Sequence, residues 1–172
     1  GDAAGARPPG FFCPLPIIMI EFSHILIASH DTPGGRAAER AAFALCRAGG
    51  RLSHLIVVPD LWRGMMGDDW LNNASTRETY GRYVEKQLQR EVQTHIDRIR
   101  QDALAQNIAY EFRVMFGKPT ECLIEHSRLI APDAVVIGAP RPKGVVGLRS
   151  RMHPEKLVGA LAVPLIVIPY PR

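Results

Sequence analysis

Short unbroken apolar runs alternate along this chain with stretches in which apolar residues recur every three or four positions. Residues 23–29 (SHILIAS) read as a buried strand, closed by the polar loop His30-Asp31-Thr32-Pro33-Gly34-Gly35. An Ala-rich helix is predicted over 36–48, with Ala38, Ala41, Ala42 and Leu45 on one side and Gly49-Gly50 as its stop. Residues 52–58 (LSHLIVV) form the second strand, ended by Pro59. The stretch 60–75, with Trp62 and Trp70, is too irregular for a core element. A long amphipathic helix follows over 76–106, its stripe made by Tyr80, Val84, Leu88, Val92, Ile96, Ile99 and Leu104. A third strand is expected over 109–116, a helix over 120–129, a fourth strand over 134–138, a helix over 154–161 and a fifth strand over 165–168.

Strands that alternate with helices demand crossover connections, hence a mostly parallel open sheet of five strands with helices on both faces. The continuous apolar runs HILIA, LIVV and AVVIG suit strands covered on both sides. In such sheets a ligand binds beyond the carboxyl ends of the strands, where the strand order reverses. Those ends carry Ser29-His30-Asp31, Val58-Pro59-Asp60, Gly117-Lys118-Pro119 and Gly138-Ala139-Pro140-Arg141.

Composition narrows the choice of class. A chain of 172 residues with 47% hydrophobic and 22% charged residues has the balance of one globular domain. The net charge of +4 comes without a Lys/Arg run or a basic stripe interleaved with aromatics, so no nucleic-acid partner is expected. No apolar run reaches the length of about 20 residues that a membrane-spanning helix needs. Cys13, Cys46 and Cys122 are far apart and odd in number, which suggests free thiols, Cys46 on a helix, and a reducing cytoplasm. Residues 1–20 read as an N-terminal extension and 21–172 as the domain. Met19 is a candidate alternative start.

Several ordered segments resemble the universal stress protein family. They are the opening Ile25-Leu26-Ile27-Ala28 through Cys46, the turn Gly117-Lys118-Pro119 with its helix to Ile124, the strand Ala131–Gly138, and the close Glu155–Ile168. The resemblance spans nearly all of 22–168 and implies a Rossmann-like, adenine nucleotide alpha hydrolase-like fold. Nucleotide-binding members carry Gly-x2-Gly-x9-Gly-Ser/Thr after the fourth strand, where glycines let phosphates reach backbone N–H groups. Aligned on that motif, Gly138 keeps the first position, but Arg141, Arg151 and Met152 occupy the other three. Gly144 and Gly147 make a second Gly-x-x-Gly in the same basic loop, out of register with the motif. At the base-binding end, His30 stands where the family has an Asp, Asp31 is the adjacent substitute, and Val57 would line a base pocket. Asp31 also reads as a turn residue, and Val57 as simple core.

The resemblance therefore implies a non-enzymatic stress-response protein without the usual ATP site, acting through partner binding and through dimerisation along its C-terminal strand. The alternative is a nucleotide sensor or weak ATPase that holds ATP with the arginine-bearing loop. Other chemistry is poorly supported. The six histidines show no metal-ligand spacing, and His95 with Asp97 reads as a solvated helix face. Asp68-Asp69 lacks further hard-cation ligands, and Glu125-His126-Ser127 points in three directions on a helix, so neither makes a catalytic or metal centre.

Overall fold

The computed structural model describes residues 19–58, 74–146 and 151–172, with side chains of the long helix described from residue 86 onward. The order of elements is β1 (Phe22–Ala28), α1 (Pro33–Leu45), β2 (Cys46–Val58), α2 (Ala74–Ala105), β3 (Ala109–Phe116), α3 (Pro119–Ile130), β4 (Ala134–Gly138), α4 (Pro154–Ala160) and β5 (Leu165–Ile168). All four strand pairings are parallel, in the order β3-β2-β1-β4-β5. The chain builds outward from β1 to β3, then returns to the other side of β1 for β4 and β5. The strand order therefore reverses between β1 and β4, and β5 lies at an edge.

Strand alternation sorts the core into two layers. Ile25, Ile27 and Leu52 face α1 and α2, packing with Ala38, Ala42, Phe43, Ile99 and Ala103. Leu26, Leu55, Val135 and Ile137 face the other way, against Leu123 of α3 and Leu157 of α4. Alanines on α1 let that helix lie close to the sheet. Its N-terminus is set by Thr32, whose Oγ1 accepts a hydrogen bond from Gly35 N at 3.1 Å, and by Pro33 in the first turn.

Two helical expectations need correction. Helix α1 spans Pro33–Leu45, and Cys46 begins β2 instead of lying on the helix. The pair Gly49-Gly50, read as a helix stop, lies inside β2, because Phe22 pairs with Cys46 across an irregular register before His24 pairs with Arg51. Gly50 is required there: a Cβ would meet Arg47 O at 2.8 Å and Ser23 O at 2.9 Å. On α2 the stripe holds at Ile96 and Ile99, then passes to Ala103, while Leu104 is 81% exposed. Cys46 and Cys122 are both buried. No described helix is long and apolar enough to cross a membrane. The expected extension up to residue 18, Cys13, Trp62, Trp70 and the Asp68-Asp69 pair lie outside the described residues.

Candidate functional site

A crevice is expected beyond the carboxyl ends of β1 and β4, where the strand order reverses and the loop after β1, the first turn of α1 and the chain after β4 stand. Gly138 closes β4 directly against α1: a Cβ on it would stand 2.7 Å from Gly34 O. Gly34 in turn faces Tyr170, whose ring would be 3.3 Å from a Cβ at that position. Ala139 N bonds to Ile168 O at 2.7 Å, which ties the exit of β4 to β5.

The residues predicted for a nucleotide site fall into three groups. Ser29 is buried and turned to the α1/α2 face, where its hydroxyl bonds to Glu39 and His54 at 2.9 Å each. His30 remains at the strand end, exposed. Asp31 accepts hydrogen bonds from Arg36 at 2.7 Å and Arg98 at 3.3 Å. Its hydrogen bond from Arg36 holds the carboxyl below its ordinary range. Val57 is buried in the second core layer.

Around the loop after β4, Arg141 Nη1 donates to Val146 O at 2.8 Å, and Gly144 takes a left-handed φ of +88° in the intervening turn. The Nε of Arg141 is buried without a partner among the described residues. Arg151 is exposed. Met152 packs onto the second core layer, and Thr120 at the start of α3 donates to its Sδ at 3.7 Å while accepting from His153 N at 2.9 Å. Gly147 lies outside the described residues.

A second constellation escaped sequence reasoning. Glu39 of α1, His54 of β2 and His95 of α2 meet on the α1/α2 face, exposed by only 2%, 0% and 3%. His95, read from sequence as part of a solvated face, is 2.6 Å from Glu39 through its Nε2. Arg98 donates to the other Glu39 oxygen at 2.8 Å. His54 Nδ1 lies 2.8 Å from the Tyr110 hydroxyl, and its ring stands edge-on to His95 with centroids 4.9 Å apart. Burial drives the His54 pKa down from 6.5 to about 3, so its imidazole is neutral near pH 7. Burial works to raise the Glu39 pKa, but the hydrogen bonds from His95, Arg98 and Ser29 outweigh it and the net shift is downward.

One proton arrangement satisfies these contacts together. Tyr110 donates to His54 Nδ1, His54 Nε2–H donates to Ser29 Oγ, and Ser29, His95 and Arg98 donate to the Glu39 carboxylate. This is not a hydrolytic relay, because the carboxylate touches the serine instead of orienting the far nitrogen of His54. Spacing on one element could not reveal the cluster, since its three members come from three elements. The available signal was a Glu inside an Ala-rich helix face and a His inside an apolar strand run.

These features define an open parallel α/β protein whose strand order reverses between β1 and β4. Comparison with solved structures makes that more particular: the fold is that of the universal stress proteins. UspA from Lactobacillus plantarum superposes with a TM-score of 0.58 at 16% identity, over 86% of this chain and 98% of that one. A protein known as MJ0577 gives a TM-score of 0.69 at 13% identity, over 89% and 99%. A universal stress protein family member from Arabidopsis thaliana with AMP bound gives 0.52 at 12% identity, over 86% and 91%. No family sequence model matches the chain, and no curated protein matches it by sequence.

Proposed function

We propose that this chain is a stress-response protein of the universal stress protein type that acts through partner binding and does not use the ATP site common in that family. The observation that carries this reading is the fate of the phosphate-loop positions. Glycine backbone would let phosphates approach, whereas Arg141 is engaged with a carbonyl of its own loop and Met152 packs into the core beside Thr120. Dimerisation along β5 belongs to the same reading. That edge strand offers unpaired backbone groups, and Val167 on it is exposed. Calorimetric titration with Mg-ATP tests the proposal: the expected result is no submicromolar binding, and a submicromolar Kd overturns it.

The second reading is a nucleotide sensor whose arginines hold the phosphates. It is favoured by the buried Nε of Arg141, without a partner among the described residues and a donor suited to an anionic oxygen. The Arabidopsis neighbour with AMP bound is consistent with a nucleotide in this fold. In that case the same titration shows binding that Arg141→Ala abolishes.

A further inference from the structure

We infer that Glu39, His54 and His95 form a buried site for a divalent transition-metal ion of the zinc class, on the α1/α2 face of the sheet. Their ligand atoms, one carboxylate oxygen and one imidazole nitrogen from each histidine, all lie within 4.8 Å of one another. Two histidine nitrogens and one carboxylate make a borderline donor set that suits zinc far better than calcium or magnesium, which favour all-oxygen shells. Zinc bonds of about 2.0–2.2 Å place tetrahedral ligand atoms roughly 3.3 Å apart. The Glu39–His95 contact of 2.6 Å therefore opens slightly on metal entry, while His54 moves inward. These are adjustments of side-chain torsions, not of the backbone.

The surroundings have the form expected around metal ligands. His54 has Tyr110 at its other nitrogen, 2.8 Å away, and Glu39 has Arg98 on its second oxygen at 2.8 Å. Ser29 Oγ stands 2.9 Å from both Glu39 Oε1 and His54 Nε2. The ligands must be free of protons at the coordinating atoms. His54 accordingly exchanges tautomers, with Nδ1–H now donating to the Tyr110 oxygen and Nε2 facing the metal. His95 likewise presents Nε2 to the metal, with its ring proton on Nδ1. Arg98, 35% exposed, bonds Glu39 at 2.8 Å and Asp31 at 3.3 Å, and so links the buried carboxylate to the surface. This inference is independent of whether the crevice at β1 and β4 holds a nucleotide.

The test uses the full chain, stripped with chelator, loaded with zinc chloride and desalted. Elemental analysis should then find about one zinc per chain, and His54→Gln with His95→Gln should lose it. His126→Gln and His153→Ala should retain it, since neither residue belongs to the site. Cobalt substitution of the unmutated chain gives a reading that does not depend on the variants folding: a strong visible absorption of tetrahedral type, without thiolate bands, is expected. Failure to retain zinc, retention unchanged in the double variant, loss in either control, or a weak octahedral cobalt spectrum would overturn the inference.

Discussion

Glu39 is the residue on which the most local energy converges. It is a buried carboxylate with His95, Arg98 and Ser29 donating to it. Removing one partner of a buried charged network leaves the others desolvated and unpaired, at a cost of about 3–5 kcal/mol. Glu39→Ala should destabilise the metal-free protein by that order in urea unfolding, and Glu39→Gln by less, since it keeps an acceptor. A loss below about 1 kcal/mol for the alanine variant would show the network to be idle. His54 supplies a pH dependence of definite sign. Its pKa falls from 6.5 in the unfolded chain to about 3 in the fold, so between those values the unfolded state binds the extra proton. Stability is therefore complete above pH 6.5 and declines as pH drops toward 3. For one such proton the slope is about 1.4 kcal/mol per pH unit. Glu39, also shifted down, adds a loss in the same direction below its ordinary value of 4.5. Urea midpoints measured with chelator across this range should show the decline, and His54→Gln should flatten its upper part.

At the scale of elements, glycines decide how closely α1 approaches the sheet. Gly138→Ala would drive a Cβ to 2.7 Å from Gly34 O, a backbone atom that cannot swing away like a side chain. The expected cost is about 1–3 kcal/mol, by overpacking at the joint of α1 and β4. Gly159 lies within α4, where a Cβ would meet nothing within 4 Å. Gly159→Ala should therefore stabilise by about 0.5–1 kcal/mol through helix propensity alone. Opposite shifts in thermal midpoint for these two variants are the expected result. The same scale explains what was legible beforehand. All five strands and four helices among the described residues follow from period and punctuation, because apolar runs and glycine or proline breaks act locally. The missed boundary at Cys46–Gly50 is different in kind. Those residues are extended because β1 offers them a hydrogen-bonding partner across an irregular register, and no local propensity encodes that partner.

For the whole molecule, the order β3-β2-β1-β4-β5 leaves β3 and β5 as edges. β3 exposes Phe112 and Phe116, and β5 exposes Val167. Pairing of β5 with its counterpart in a second chain would cover that edge over a short stretch, bounded by Pro164 and Pro169. Light scattering at micromolar concentration should give the mass of a dimer, and Val167→Asp should return a monomer. A monomeric unmutated chain would remove β5 pairing from the account.

The sequence by itself determined the class of fold and the order and type of its elements. These are properties of local pattern and of residues close together in the chain. Only the tertiary structure decided that Ser29 turns away from the crevice, that Asp31 is held by Arg36 and Arg98, and that His95 is buried against Glu39 beside His54. The physical reason is that a helix face has no fixed partner until it docks. Docking α1 and α2 on one side of β2 brought together a carboxylate and two imidazoles that their positions in the chain keep far apart.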